Sequence, residues 1–150
     1  MIVYRISNEL YKDDISGNGA AINGSRWNSQ GIKMLYTGQF ISLCILESLV
    51  HLRKIDIPRK QYLLTMQIPD IECQDIKLTK LKTDWQHHLN YTQWIGNEFI
   101  SAGKSLALKV PSAVVPQEFN YLVNPKYKDF KKVKIINSEL LELDKRLLQK

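Results

Sequence analysis

Residues 34–54 read MLYTGQFISLCILESLVHLRK and join two elements of different type. This stretch predicts a short strand over 34–37 and, after Gly38 and Gln39, a helix over 40–54 that ends in charged residues before Pro58. The same patterns elsewhere predict a second helix over 93–102, capped by Thr92 and closed by Gly103, and further strands over 2–6, 62–68, 105–110, 119–123 and 133–136. Because strands and helices are mixed without a regular βαβ rhythm, we expect an α+β fold.

Length and composition indicate one globular domain spanning residues 1–150. The chain is 44% hydrophobic and 24% charged, which excludes a disordered tail, a coiled coil and a collagen-like fibre. A chain of this length buries enough surface to fold without metal or disulfide staples. Lys and Arg number 21 against 15 Asp and Glu, a net charge of +6. This surplus favours an anionic partner: a nucleic acid, a phosphorylated metabolite or an acidic protein.

Several classes of protein are disfavoured by the sequence. No apolar stretch approaches the ~20 residues of a membrane helix, and the first eight residues do not resemble a signal peptide, so we expect a cytoplasmic protein. Cys44 and Cys73 lack a CxxC spacing and are predicted to be buried free thiols. The three histidines have no metal-ligand spacing, and we assign no metal.

A glycine-rich loop carries the first candidate for chemistry. Residues 13–31 contain four glycines among Asn and Ser and show neither a helical nor a strand period. Long irregular loops in small domains are usually functional or disordered, and Arg26 and Trp27 in the middle of this one favour function. The guanidinium of Arg26 offers a planar set of donors suited to phosphate. The alternative is that Arg26 pairs with an acidic residue across the fold.

Glu47 is the second candidate, because the predicted helix places it on an apolar stripe. Leu43 and Cys44 lie on one side of Glu47, and Val50 and His51 lie on the other. An ionised carboxylate is costly to bury without partners. We therefore expect Glu47 to have a cationic partner or a catalytic role.

Each candidate also has a purely structural alternative. Glu47 could reach solvent or pair with Arg53 or Lys54 near the end of its helix. Tyr36 could stack on an aromatic ligand or fill the core. Ser112 follows a proline, and no GxSxG motif surrounds it, so a serine-hydrolase mechanism is not supported.

Taken in order, these segments resemble the RES domain family, which takes its name from an Arg, a Glu and a Ser, here Arg26, Glu47 and Ser112. The resemblance covers essentially the whole chain. Ser25 stands where the family often has a glycine, and residues 77–91 match no family motif. The matching motifs are Tyr4-Arg5-Ile6, GSRWN at 24–28, Tyr36-Thr37, Leu46-Glu47, VPSAVVP at 110–116, Asn120, Asn124-Pro125 and DKRL at 144–147.

The resemblance implies a bacterial toxin of a toxin–antitoxin pair, whose partner is a helix-turn-helix antitoxin of the Xre type. It implies a fold similar to ADP-ribosyltransferases, with central mixed β-structure and flanking helices. It also implies that the protein destroys intracellular NAD, as a substrate, without a further cofactor.

The resemblance assigns a role to each candidate residue. Glu47 would stabilise the cationic ribose that forms when the nicotinamide–ribose bond breaks, and Arg26 would hold the pyrophosphate or an incoming phosphate. Tyr36 would stack against the nicotinamide, and Ser112 would orient the ribose or the carboxamide. The ADP-ribosyl group could pass to water, to inorganic phosphate or to a macromolecule. Lesser candidates for lining the NAD pocket are Tyr4, Arg5, Trp27 and Asn120.

A rival hypothesis is a basic nucleic-acid-binding module. The net charge would then be its footprint, and Trp27, Tyr36 and Trp94 would be stacking platforms. Against it, no RNA-binding motif is present, and the densest lysine run, 126–134, is typical of a solvated face.

Overall fold

The computed structural model describes residues 1–51, 59–70 and 73–149. Short 3₁₀ turns lie at Leu78–Lys80, Trp85–His87, Phe130–Lys132 and Lys145–Leu148. In chain order the strands and α-helices are β1 (Ile2–Asn8), α1 (Asn18–Asn23), β2 (Leu35–Gly38), α2 (Ile41–His51), β3 (Gln61–Gln67), β4 (Gln74–Asp75), α3 (Leu89–Ala102), β5 (Ala107–Pro111), β6 (Phe119–Val123) and β7 (Lys134–Leu141).

The strands form one mixed sheet in the order β4-β5-β6-β2-β1-β3-β7. β4 and β5 are parallel, whereas every other neighbouring pair is antiparallel. β1 pairs with β3 along its whole length and with β2 where Tyr4 lies opposite Gly38. Helix α2 packs on β1 and β2. The α+β prediction is confirmed, and the sheet brings β1, β2 and β6 together beside α2.

Two apolar clusters lie on opposite faces of the sheet. Adjacent strand residues point to opposite faces, and the neighbours Leu122 and Val123 belong to different clusters. Helix α3 contributes Phe99 and Ile100 to the cluster that also contains Trp27. Burial on both faces explains why the central strands read as apolar runs rather than as strict alternation.

The second helix differs from the prediction at its start and agrees at its end. Helix α3 begins at Leu89, so the prediction that Thr92 caps it is wrong. Thr92 lies inside the helix and is fully buried, and its hydroxyl donates to the carbonyl of Arg26 at 2.6 Å. Gly103 adopts the left-handed conformation with φ of 58° and closes the helix, as predicted.

Other boundaries also shift. The glycine-rich loop contains the short helix α1, which the sequence missed because six residues are too few to show a helical period. β7 extends to Leu141 rather than 136. Its second half was not predicted because its residues lie on an exposed edge of the sheet and include polar ones. Residues 77–91 form two 3₁₀ turns and the first turn of α3. The predicted end of the first helix at Lys54 lies outside the described residues.

The sequence also led to expectations about the two cysteines, about membrane-spanning helices and about metal sites. Cys44 and Cys73 are free; Cys44 is buried, but Cys73 is only half-buried because it lies beside the two-residue edge strand β4. Each helix in the described ranges is too short or too polar to span a bilayer. Those ranges also contain no cluster of three or more His, Cys, Asp or Glu side chains able to hold a metal ion.

Candidate active site

An open pocket of about 280 Å³ lies between β1, β2, α2 and the glycine-rich loop. All but one of the predicted site residues line this pocket; the exception, Ser112, is fully buried behind it. The pocket therefore gathers residues that lie up to 116 positions apart in the chain. The predicted site residues that line it are Tyr4, Arg5, Arg26, Trp27, Tyr36, Glu47 and Asn120.

The carboxylate of Glu47 is held by two neutral donors. The Ser112 hydroxyl and the Asn120 side-chain amide each donate to Oε1 of Glu47, both at 2.7 Å. Ser112 follows β5 and Asn120 lies on β6, and the antiparallel pairing of these strands places the two donors together. Oε2 accepts no hydrogen bond within the described ranges. The carboxylate is thus fixed through one oxygen and keeps the other for a ligand.

Within the described ranges, the surroundings of Glu47 differ from the predicted apolar stripe and do not include the cationic partner that was one of the two alternatives. Leu43 and Cys44 are buried, but Val50 and His51 are exposed, so the apolar stripe covers only one side of the carboxylate. No cationic side chain within the described ranges pairs with Glu47. Arg53 and Lys54, the partners considered from the sequence, lie outside those ranges.

The hydrogen-bonding capacity of Ser112 is filled. Its single hydroxyl proton goes to Glu47, while its oxygen accepts from the backbone amides of Val114 and Val115, both at 3.0 Å. A hydroxyl has one donor and two acceptor positions. Ser112 therefore joins the turn after β5 to Glu47.

Arg5 is a partly buried cation with few partners. Its only side-chain hydrogen bond in the described ranges is a long one, 3.4 Å from Nη1 to the carbonyl of Tyr36. The buried Nε has no partner there. Burial lowers the pKa of the Arg5 guanidinium, and the nearby charge of Asp14 opposes this shift. Unsatisfied buried donors are costly, so Arg5 is suited to receive an anion in the pocket.

Tyr36 connects the pocket to the glycine-rich loop. Its hydroxyl accepts from the backbone amide of Trp27 at 3.0 Å and donates to Oδ1 of Asn28 at 2.7 Å. Burial raises the pKa of this hydroxyl, which keeps it neutral at physiological pH. The hydroxyl therefore serves the loop, while the ring lines the pocket.

Tyr4 and Cys44 complete the wall between β1 and α2. The Cys44 thiol donates to the carbonyl of Tyr4 at 3.3 Å, and burial raises the pKa of this thiol to about 12. A Cβ on Gly38 would lie 2.6 Å from the Cys44 sulfur, so only glycine lets β2 approach α2 this closely. The thiol stays neutral and adds no competing charge beside Glu47.

Arg26 and Trp27, neighbours in the loop, have different environments. Nη1 of Arg26 donates to the carbonyl of Gln86 at 2.8 Å, and its guanidinium lies over the Trp85 ring. Arg26 thus has no acidic partner in the described ranges. The Trp27 ring is only 2% exposed and packs 5.5 Å from that of Trp85. Its indole belongs mainly to the core.

One polar face of helix α3 holds the glycine-rich loop. Sequence reasoning missed this contact. Gln93 donates to the carbonyls of Ser25 and Asn28, and Asn97 bonds both the amide and the hydroxyl of Ser29. A Cβ on Gly96 would clash with the Trp27 carbonyl. The glycine-rich loop is therefore held in place by hydrogen bonds and close packing against α3. The spacing of Thr92, Gln93, Gly96 and Asn97 on one helical face is the signal that was available.

Asn28 organises the loop from inside. It is fully buried, and its side-chain amide donates to the carbonyls of Ala20 and Ile32, both at 2.9 Å. Sequence reasoning quoted Asn28 within a motif but assigned it no role. Its buried amide replaces the backbone hydrogen bonds that an irregular loop lacks.

The nucleic-acid hypothesis relied on three aromatic rings as stacking platforms, and the structure does not support two of them in that role. Trp27 is buried and cannot serve as a stacking platform, and the Tyr36 hydroxyl is committed to the loop. Trp94 is 60% exposed but does not line the pocket that Trp27 and Tyr36 line. The lysines of 126–134 are exposed, as expected of a solvated face.

Comparisons with known proteins agree on one family. The family model of the RES domain matches residues 2–144. A protein named Toxin Res from Photorhabdus laumondii is 36% identical over 135 residues, which cover 88% of this chain and 86% of that protein. A protein named Prs ADP-ribosylating toxin from a Sphingobium species is 31% identical over 143 residues, covering 92% of this chain and 89% of that protein.

A solved structure shares the fold. A chain in the crystal structure of the M. tuberculosis MbcT–MbcA toxin–antitoxin complex matches with a TM-score of 0.78 at 18% sequence identity. The match covers 93% of this chain and 83% of that one. The arrangement of the sheet is therefore retained in a protein of very different sequence.

Proposed function

This chain belongs to the RES domain family, and from that premise we propose that it is the toxin of a toxin–antitoxin pair and degrades NAD by breaking the nicotinamide–ribose bond. The observation that carries the proposal is the Glu47 carboxylate, fixed through Oε1 and open at Oε2, in a pocket that also presents the under-satisfied Arg5 cation.

Glu47 is the group we assign to the chemical step. As the bond between the ribose C1 and the nicotinamide nitrogen breaks, the electron pair leaves with neutral nicotinamide, and positive charge develops on the ribose. A carboxylate held in place beforehand stabilises that charge without reorganising. Water or phosphate then forms the new C–O bond, and water releases a proton in doing so. No strong base is required for this sequence.

Ser112 and Asn120 act through Glu47. The sequence suggested that Ser112 orients the ribose or carboxamide, but its hydroxyl is filled by Glu47 and two backbone amides. We infer that Ser112 is a positioning residue. Asn120 has the same bond to Oε1 and also lines the pocket, so it can touch the substrate as well as align the carboxylate.

Arg5 and Arg26 are the groups we assign to the anionic part of NAD. Arg5 has the greater need for an anion, because its buried Nε has no partner among the residues that the structure describes. Arg26 has one backbone bond and donors left over. Tyr4, Trp27 and Tyr36 also line the pocket, and we assign Tyr36 to contact with the nicotinamide.

The decisive measurement is nicotinamide release from NAD by the purified chain, separated from its antitoxin. The proposal expects release, with ADP-ribose as the product in phosphate-free buffer if water is the acceptor. If phosphate is the acceptor, turnover rises with phosphate and the product carries it on the ribose carbon that held nicotinamide. A folded protein that leaves NAD intact in both buffers contradicts the proposal.

A second candidate function keeps the same chemistry and changes the acceptor. The relative named Prs ADP-ribosylating toxin favours transfer of the ADP-ribosyl group to a macromolecule. NAD labelled in its adenosine half distinguishes the two functions. Label that stays in small molecules in a cell extract supports NAD degradation, whereas label on a protein band supports transfer.

The antitoxin and the cellular location follow from the same proposal. The structural neighbour comes from a toxin–antitoxin complex, and we propose a helix-turn-helix antitoxin of the Xre type as the partner. The toxin acts on NAD in the cytoplasm. Co-expression with a helix-turn-helix antitoxin of this type should remove both toxicity and NAD loss.

A further inference from the structure

The peptide group between Arg26 and Trp27 is held at both of its polar atoms by side-chain hydroxyls. The Thr92 hydroxyl donates to the carbonyl of Arg26 at 2.6 Å, and the Tyr36 hydroxyl accepts from the amide of Trp27 at 3.0 Å. The carbonyl and the amide of a trans peptide lie in one plane and point in opposite directions. Helix α3 and strand β2 therefore hold this one peptide from opposite sides.

This peptide is the tip of a tight turn whose ends are held as well. The amide of Ser25 donates to the carbonyl of Asn28 at 2.9 Å, which closes the turn. Gln93, the neighbour of Thr92 on α3, donates to the carbonyls of Ser25 and Asn28 at 2.9 and 3.1 Å. Binding groups whose supports are locked by such hydrogen bonds can be held within about 0.5 Å of a productive position.

The Thr92 hydroxyl has two acceptors within reach, and the nearer one belongs to the turn. A threonine inside a helix can bond the carbonyl three or four residues earlier, and the carbonyl of Leu89 lies 3.0 Å from Thr92 Oγ1. The Arg26 carbonyl is closer, at 2.6 Å. Because a hydroxyl carries one proton, we assign that proton to the shorter contact. Thr92 is fully buried, so its hydroxyl cannot turn to water instead.

The far end of the Arg26 side chain is held by the 3₁₀ turn that precedes α3. Nη1 of Arg26 donates to the carbonyl of Gln86 at 2.8 Å, and the guanidinium carbon lies 5.9 Å from the centroid of the Trp85 ring. A guanidinium has five N–H donors, so the bond to Gln86 leaves others for an anion in the pocket that Arg26 lines. Residues 85–92 thus hold Arg26 at its backbone and at its charged end.

We propose that Thr92 is a positioning residue for NAD binding: its hydroxyl, acting opposite that of Tyr36, fixes the peptide from which the Arg26 side chain extends and so orients the remaining guanidinium donors toward the anionic part of NAD. This inference rests on the proposed function, which supplies the ligand. Thr92 itself does not line the pocket and acts through Arg26. It should therefore change the affinity for NAD and leave the bond-breaking step at Glu47 unchanged.

Two variants of Thr92 separate its hydroxyl from its shape. Thr92→Val keeps the volume and removes the hydroxyl, whereas Thr92→Ser keeps the hydroxyl and removes the methyl group. In the Glu47→Gln background, where turnover does not interfere, Thr92→Val should weaken NAD binding about tenfold in calorimetry. Thr92→Ser should bind NAD as that background protein does. With Glu47 intact, Thr92→Val should raise KM by a similar factor while kcat stays within about twofold.

A double-mutant cycle with Arg26→Ala tests whether Thr92 acts through Arg26. Thr92→Val should weaken NAD binding when Arg26 is present and should have no further effect on NAD binding when alanine replaces Arg26. It should lower Tm in both backgrounds, because the carbonyl of residue 26 loses its partner in each. As a matched control, Ser105→Ala removes another buried hydroxyl outside the pocket, and should lower Tm without changing the affinity for NAD.

Two results would overturn the proposal. The first is a folded Thr92→Val variant that binds NAD as tightly as its background protein. The second is an equal loss of NAD affinity with and without the Arg26 side chain, which would assign Thr92 a general role in stability. If valine prevents folding, Thr92→Ala removes the same hydroxyl and is judged by the same two results. A folded parent chain that neither binds nor cleaves NAD is a separate outcome, because it contradicts the proposed function and this inference with it.

Discussion

Glu47→Gln separates the charge of this side chain from its shape. The amide oxygen of glutamine can still accept from Ser112 and Asn120, so both 2.7 Å hydrogen bonds have an acceptor in the variant. Hydrogen bonds to a charged group contribute about 1.5–3 kcal/mol each, against about 0.5–1.5 for neutral pairs. The two bonds together predict a loss of about 2 kcal/mol in the free energy of unfolding.

The effect on catalysis should be much larger than the effect on the fold. Removing one preorganised electrostatic group from an active site typically lowers kcat by about 10²–10³. We expect a fall of this size in nicotinamide release by Glu47→Gln, with a decrease of a few degrees in Tm. Nicotinamide can be followed by chromatography, and unfolding by circular dichroism.

Glu47→Ala is the matched control. It leaves the buried Ser112 hydroxyl and the Asn120 amide without their acceptor, and should be less stable than the glutamine variant by about 1–3 kcal/mol while being equally inactive. A glutamine variant that keeps turnover within a few-fold of the parent would refute the catalytic assignment. So would a glutamine variant as unstable as the alanine variant, because the carboxylate would then be structural.

Four further predictions follow from the contacts described above. In the inactive glutamine background, Arg5→Ala and Arg26→Ala should each weaken NAD binding by about ten- to a hundredfold in calorimetry, and unchanged affinity assigns that arginine to the scaffold. Ser112→Ala strands two backbone amides and should cost about 2–4 kcal/mol of stability in urea unfolding together with most turnover; full activity would contradict its positioning role. Gly96→Ala should displace the loop and cost about 1–3 kcal/mol, visible as a lower Tm. Because the pKa of the Cys44 thiol is about 12 in the fold and 9.0 ordinarily, the unfolded chain releases this proton first. The free energy of unfolding should therefore fall by up to about 1.4 kcal/mol per pH unit between about pH 9 and 12. In Cys44→Ala it should fall less steeply over the same range. If the two proteins lose stability in parallel, the raised pKa of the Cys44 thiol is contradicted.

The elements nearest the pocket could be predicted from the sequence because their signals are local. β2 and the start of α2 follow from an apolar run, a glycine and a helical period. β6 was predicted with its observed limits, 119–123. The partners of Glu47 were not local. Ser112 and Asn120 are 65 and 73 residues away, and periodicity cannot show that a strand pair will place them beside α2.

The kind of group that binds Glu47 could not be predicted from its own helix either. The sequence argument left two alternatives for Glu47, a cationic partner or a catalytic role, because burial of an unpaired carboxylate is costly. The described structure supplies two neutral donors instead, which satisfy the oxygen without cancelling its charge. Neutral donors are compatible with the role that we propose for Glu47, which depends on the negative charge of the carboxylate.

The contact between α3 and the glycine-rich loop was missed for a different reason. Gln93 and Asn97 are polar and look solvent-facing on a helical wheel, but they bond the backbone of residues 25–29. Their partners are backbone atoms, which carry no sequence signature. The sequence therefore gave no sign that α3 holds the loop.

The contact between α3 and the glycine-rich loop has an evolutionary consequence. Substitutions in residues 25–29 that move the backbone can persist only if positions 92–97 change with them, since the two segments share hydrogen bonds and the space above Gly96. Across relatives these two segments should therefore covary, and a loop transplanted between family members should function only when its helix is transplanted with it.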